Sequence, residues 1–274
     1  MAFDTIIKGG RVVDGSGLPV RTADVGIKSG MITDIGRLSG AKETISADGL
    51  IVMPGIVDAH THYDPQLTFD PYATSSCFHG VTSVVAGNCG YSIAPCAKQD
   101  RDWLTALFAK VEGMSPSVLR EGLPWDWESF PSFLDVLDTR LGINLAVYVG
   151  HSAIRRYVMG EAASERAATA GEIERMKRLV REAMGVGAAG FSSSNGPTHV
   201  DQFKRPVPSR FASFDEVLAL AEAAGEGGAG SIAYLPESAP QGVDARDRAR
   251  LIQLAHRSGL PVVIQGMGYR PGNR

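Results

Sequence analysis

The chain has 274 residues, 44% of them hydrophobic and 21% charged, and its 27 basic and 30 acidic side chains give a formal charge of −3. A near-neutral balance with no dense Lys/Arg cluster and no interleaving of basic with aromatic residues argues against a nucleic-acid groove or an anionic membrane surface as partner. Three cysteines, Cys77, Cys89 and Cys96, are an odd number in a chain long enough to bury a core. A disulfide framework is therefore not expected, and each cysteine is either a small buried residue or a ligand. Apolar runs are short and broken by charge or glycine, and MAFDTIIKGG places an acid at position four, where a secretion signal would be basic and then apolar. The expectation is a cytoplasmic protein.

The first fifty residues carry period-two patterns cut by turn dipeptides. Thr5–Lys8 stops at Gly9-Gly10, Arg11–Val13 at Asp14-Gly15, Asp24–Lys28 at Ser29-Gly30, and Met31–Ile35 at Gly36. This spacing predicts a small β module of short antiparallel strands over residues 1–49. At Leu50 the texture changes: a continuous apolar run to Val57, with Pro54-Gly55 inside it, predicts a strand buried on both faces, as in a parallel sheet. Further buried strands are predicted at Val81–Ala86, Ile143–Val149, Ala188–Ser192, Gly230–Tyr234 and Leu260–Gln265, and helices at Gly171–Met184, Phe214–Ala224 and Val243–His256. Such alternation implies an α/β fold with a parallel sheet, either doubly wound or a (β/α)8 barrel. Asp100–Asp138, with Trp103, Trp125 and Trp127, is longer than a simple crossover and reads as an insertion. Six strand candidates from Leu50 onward are two short of a closed TIM-type barrel, so residues 50–274 are expected to form an incomplete barrel of about six βα units.

The sharpest local feature is Asp58-Ala59-His60-Thr61-His62, directly after the first of these strands. Side chains two apart on a strand point the same way, so His60 and His62 can chelate one metal ion, and Asp58 shares their parity. Chance spacing of two histidines is the competing reading. The position at a strand's C-terminal end, where barrel active sites lie, favours the metal. Cys89 follows the next strand in Gly87-Asn88-Cys89-Gly90; a thiolate there suits zinc, whereas a buried apolar cysteine is the bland alternative. Cys77 and Cys96 lack such a setting and are assigned to packing. His151 and Arg155 open the helix after Ile143–Val149, with Ser152 as a plausible N-cap. They either contact substrate at the sheet's mouth or are satisfied internally. His79 precedes a strand, at the wrong end for a site, and His256 lies late in a helix, where a cation suits the C-terminus. His199, Asp201, Lys204, Arg205 and Arg210 form a polar loop on the functional face.

The runs PGIVDAHTHYD, GVTSVVAGNCGYSIAP and GHSAIRRYVMG resemble the N-acyl-D-amino-acid deacylase (D-aminoacylase) branch of the amidohydrolase superfamily, over the β module and the barrel up to about Phe191. The resemblance implies a (β/α)8 barrel with a small β-sandwich built from both chain ends. It also implies one or two zinc ions held at His60 and His62 and by a bridging cysteine at Cys89, and a small-molecule N-acyl amino acid as substrate. Zinc-dependent attack of water on the amide would use an aspartate after the eighth strand as general base and then acid. The chain departs from that pattern at Ser231-Ile232-Ala233-Tyr234-Leu235 and Val262-Val263-Ile264-Gln265-Gly266, where the relatives end strands in histidine ligands and Gln265 is at best a weak substitute. The tyrosine-containing loop after strand four is replaced by Ser193-Ser194-Asn195-Gly196-Pro197-Thr198-His199. The catalytic aspartate would lie beyond Arg274, so no catalytic residue is assigned within the chain, His199 and Asp201 being only distant candidates.

The sequence thus predicts a metal-dependent hydrolase of non-peptide amide bonds, as the front portion of a longer deacylase-like protein or the product of an interrupted frame. A metal-binding or inert fragment is the alternative. A cyclic-amide hydrolase of the hydantoinase or dihydroorotase kind would share the histidine pair, but those relatives bridge their metals with a carboxylated lysine, and the cysteine in GNCG argues against that.

Overall fold

Residues 2–138 and 141–268 are described in the computed structural model of the chain, which divides into two units, Met1–Ile56 and Val57–Arg274. The first unit is one five-stranded sheet: β1 (Phe3–Val12), β2 (Arg21–Lys28), β3 (Met31–Gly36), β4 (Ala41–Ser46) and β5 (Ile51–Val52), in the order β3-β2-β1-β4 with β5 also on β1. β1 runs antiparallel to β2 but parallel to β4 and β5. The expected turn at Gly9-Gly10 is a bulge inside one long strand. Gly9 adopts φ +75°, and its N–H donates to Asp24 Oδ1 at 2.8 Å while Leu38 N–H donates to Oδ2 at 2.9 Å. These two N–H groups hold the Asp24 carboxyl below the usual carboxylate range. A glycine pair therefore absorbs an extra residue without reversing the chain.

The run Leu50–Val57 is likewise not one buried strand. Ile51–Val52 pairs with β1, Pro54 and Gly55 interrupt it, and β6 (Ile56–Asp58) opens the second sheet. Val57 is 61% exposed, because among the described residues β6 is an edge strand with a neighbour on one side only. The units accordingly divide at Ile56 and Val57 rather than at residue 49.

In the second unit β6 is followed by α1 (Thr74–Cys77), β7 (Val81–Ala86), α2 (Arg101–Glu112), α3 (Pro116–Gly122), α4 (Phe130–Asp138), β8 (Asn144–Gly150), α5 (His151–Met159), α6 (Ala170–Gly185), β9 (Gly190–Ser194), α7 (Phe214–Gly225), β10 (Ser231–Leu235), α8 (Ala245–Ser258) and β11 (Val262–Ile264). The strand order is the chain order, β6 through β11, and the pairs β7–β8, β8–β9, β9–β10 and β10–β11 are parallel. A doubly wound sheet reverses its order at a switch point, whereas a barrel wall does not. This is the incomplete barrel of six strands. The three helices predicted from periodicity match α6, α7 and α8 to within two residues at each end.

Packing follows the helical period. α6 buries Met176, Val180 and Ala183 on one face, and its first turn closes a capping box in which Thr169 Oγ1 accepts from Glu172 N–H and Glu172 Oε2 accepts from Thr169 N–H. The segment expected as a loop insertion instead supplies α2, α3 and α4 to the core. Trp127 donates through Nε1 to the Ile93 carbonyl at 3.1 Å and lies against Phe133 in a tilted pair, ring centroids 5.2 Å apart. No described helix is long and apolar enough to cross a membrane.

Candidate metal centre

The chain past β6 stays tied to β7: Thr61 N–H and Oγ1 both donate to the Val85 carbonyl, at 2.9 and 3.0 Å. Thr61 is thereby buried, and alternation turns His60 and His62 the other way. Their ring centroids lie 5.4 Å apart. β7 then ends in the turn Asn88–Gly90. Gly87 opens it at φ +74°, and a Cβ there would fall 2.1 Å from the Tyr148 carbonyl oxygen, so only glycine passes β8 at this point. Cys89 itself adopts φ +58°, a left-handed conformation costing a non-glycine residue about 1–2 kcal/mol. Surrounding bonds sustain it: Gly90 N–H donates to Ser192 Oγ at 3.1 Å, and Ser192 Oγ donates to the Gly87 carbonyl.

The outcome is a cluster in which one donor atom each from His60, His62 and Cys89 all lie within 4.8 Å of one another. Cys89 Sγ is 3.3 Å from His60 Nε2. Burial, aided by His60 and His199, pushes His62 down to about 3. Burial also lowers His60, against the opposing pull of Asp58. Both rings are thus neutral at physiological pH, the form that offers a lone pair. His62 Nδ1 is buried without a hydrogen-bond partner among the described residues. An uncompensated buried nitrogen beside a second imidazole and a thiol is a donor set that fits a borderline-soft ion such as zinc. Asp58, which shares the parity of the pair, stands outside the cluster; its Oδ1 accepts the His60 N–H at 3.3 Å.

His199 adjoins this cluster. Its Nδ1 lies 2.7 Å from Ser194 Oγ, its ring centroid is 5.3 Å from that of Tyr91, and Tyr91 is 5.7 Å from His62. Burial, then Arg210 and His60, bring it down to about 4. A cavity of about 250 Å³ is lined by His62, Tyr91, Lys110, Thr198 and His199 together with Val111 and Val200. A larger cavity of about 560 Å³, lined by Leu134, Leu145 and Val186 among others, shares no residue with the cluster.

His151 and Arg155 are buried inside the fold and satisfied internally, rather than open at the sheet's mouth. Both are 0% exposed. His151 Nδ1 meets Ser193 Oγ at 2.8 Å and its Nε2 meets Glu216 Oε1 at 3.0 Å. Arg155 Nη1 donates to both Glu216 oxygens at 2.5 and 2.6 Å, and Nη2 donates to the Ala163 and Arg166 carbonyls. The first turn of α5 is rotated into the core, where these residues join α5 to α7. Asp201 is also fully buried, and it staples its own loop by accepting from the N–H groups of Phe203 and Arg205 and from the Arg205 guanidinium. Cys96 is buried in the core and Cys77 is half-buried. Tyr91, Lys110 and Asn88 were not singled out from sequence as parts of this region, and Gln265 was read there only as a weak substitute for a ligand. Tyr91 and Asn88 sit in the same post-strand turn as Cys89 and could have been found by position, but Lys110 comes from α2 and Gln265 from the far end of the sheet.

The chain belongs to the amidohydrolase family, whose family model matches residues 43–270. Over 194 residues it is 40% identical to the D-aminoacylase of Alcaligenes xylosoxydans xylosoxydans, covering 70% of this chain and 37% of that relative. A solved D-aminoacylase structure, described as having a binuclear metal centre with one-metal activation and second-metal attenuation, superposes with a TM-score of 0.77 at 31% identity, over 96% of this chain and 51% of that one. The N-acyl-D-glutamate deacylase of Bordetella bronchiseptica, solved with zinc and a phosphonate mimic of the tetrahedral intermediate, gives a TM-score of 0.69 at 28% identity, over 96% and 58%. The chain spans 37–58% of the length of these relatives.

Proposed function

We propose that this chain carries the metal-binding part of a zinc-dependent amide hydrolase acting on N-acyl-D-amino acids, with His60, His62 and Cys89 as the metal donors. The observation that carries this reading is the convergence of two neutral imidazoles and a thiol within 4.8 Å at the C-terminal ends of β6 and β7, the end where barrel enzymes do chemistry. The likeness to D-aminoacylase and to a zinc-containing deacylase supports the reaction class. Zinc bound there would polarise an amide carbonyl and bring the ionisation of water near neutral pH.

The chain's own residues supply the surroundings. Cys89, whose thiol a bound zinc ion would deprotonate, would bring negative charge to the donor set, and His60 and His62 would complete it without adding charge. Lys110 is the one cation among the residues lining the adjoining cavity, and it would pair there with the carboxylate that every N-acyl amino acid carries. Tyr91, Val111 and Val200 give the same cavity an apolar wall suited to an aliphatic acyl or side chain. His199, neutral and oriented at Nδ1 by Ser194 Oγ, lines the cavity with His62 and can hold or release a proton at Nε2.

The test is release of free amino acid from paired N-acetyl-D- and N-acetyl-L-amino acids by the zinc-loaded chain. The expected result is hydrolysis of the D-series that disappears in His60→Ala. Release from the L-series alone or ring opening of hydantoins alone contradicts the substrate assignment, and a chain that takes up no zinc contradicts the metal-binding assignment.

A further inference from the structure

The turn that bears Cys89 is held from the opposite edge of the sheet. Gln265, just past β11, is 2% exposed; its Oε1 accepts the Cys89 N–H at 3.0 Å and its Nε2 donates to Asn88 Oδ1 at 2.5 Å. Asn88 fixes the direction of both bonds. Its Nδ2 is committed to the carbonyls of Thr61, at 3.2 Å, and Val85, at 2.8 Å, so its Oδ1 can only accept and Gln265 must present nitrogen to it. The Gln265 oxygen is then turned onto a main-chain N–H and is engaged there. Thr61, at the other end of this chain of bonds, lies between His60 and His62.

We propose that Gln265 is a positioning residue of the metal centre: with Asn88 it closes a carboxamide clamp that fixes Cys89 Sγ relative to His60 and His62, in place of donating to the metal itself. The inference rests on the reading of those three residues as metal donors. Its physical basis is that Cys89 occupies a left-handed backbone conformation it would not choose alone. Releasing its N–H lets the turn relax towards extended conformations and carries the sulfur away from the imidazoles. Partners that orient ligands in this way typically account for about 10- to 100-fold in metal affinity.

Two readouts test it, one of them independent of any metal. In the metal-free chain, Gln265→Ala should speed amide hydrogen exchange at Cys89 by about tenfold, the order expected for loss of one buried hydrogen bond, with Val149 and Phe191 on β8 and β9 unchanged. In the cobalt-loaded chain, the same variant should lower affinity about 10- to 100-fold and weaken the thiolate-to-cobalt charge-transfer band. Asn88→Ala should do likewise, and the double variant should be no weaker than the worse single one, because both break a single clamp. Gln265→Glu, which keeps an acceptor for the Cys89 N–H but sets a second oxygen against Asn88 Oδ1, should fail to restore slow exchange at Cys89, because the clamp needs the amide's donor as well as its acceptor. Unchanged Cys89 exchange in Gln265→Ala, or single losses that multiply in the double variant, overturns the clamp. A wild-type chain that binds no cobalt overturns the donor assignment instead, and the exchange measurement still decides the clamp.

Discussion

Cys89→Ser should lower zinc affinity by more than about 100-fold, exceeding the loss from any residue that merely orients a ligand. Serine is nearly isosteric with cysteine, so the turn Asn88–Gly90 and its bonds to Ser192 and Gln265 survive. The donor changes in kind. A thiol is deprotonated outright by a coordinated zinc ion and contributes a charged, soft ligand, whereas a serine hydroxyl remains a neutral and harder one. The left-handed backbone at position 89 is equally strained for both residues, so stability should change little. Competition against a chelator of known affinity reads the effect, with a thermal melt of the metal-free variant as the control for folding. An affinity equal to that of the wild type would remove Cys89 from the donor set.

Glu216→Ala should destabilise the fold by about 3–5 kcal/mol, the cost of leaving a buried charge without its partner. Glu216 is 1% exposed and is the only carboxylate bonded to Arg155 and His151 among the described residues. Glu216→Gln keeps the volume and an acceptor but not the charge, and should cost less. Urea unfolding of the three proteins measures both, and a change below about 1 kcal/mol in Glu216→Ala would show that this network does not hold α5 to α7. The same core makes stability depend on pH. His151 is held below the ordinary histidine value of 6.5, chiefly by burial, and His62 and His199 lie near 3 and 4 for the same first reason. With the folded values depressed, the unfolded chain takes up protons first. The stability is therefore full above about pH 6.5 and declines as pH falls towards the folded values, by about 1.4 kcal/mol per pH unit for each proton bound only by the unfolded metal-free chain.

The parts of this structure legible in the sequence are those set by local pattern. Val81–Ala86 is a strand to the residue, because a short apolar run bounded by Gly80 and Gly87 has few other fates. The approach of His60, His62 and Cys89 was readable from strand parity and from the position of each after a buried strand. Non-local partners account for what was not readable. Gly9-Gly10 has the composition of a turn, and only Asp24, fifteen positions on, makes it a bulge. Leu50–Val57 looks continuous until β1 claims Ile51 and Val52. His151 and Arg155 stand at a strand's mouth in the sequence, yet Glu216 on α7, more than sixty positions away, draws them inward. Gln265 reads as a weak stand-in for a missing ligand, and its bonds to Asn88 and Cys89 span 177 and 176 positions. Local periodicity carries no information about such pairs.

X-ray absorption at the zinc edge of the loaded chain tests the central claim most directly. A first shell containing one sulfur scatterer near 2.3 Å and nitrogen scatterers near 2.0–2.1 Å, with the sulfur lost in Cys89→Ser, is the result expected if His60, His62 and Cys89 hold the metal. A shell of nitrogen and oxygen alone in the wild-type chain would contradict it.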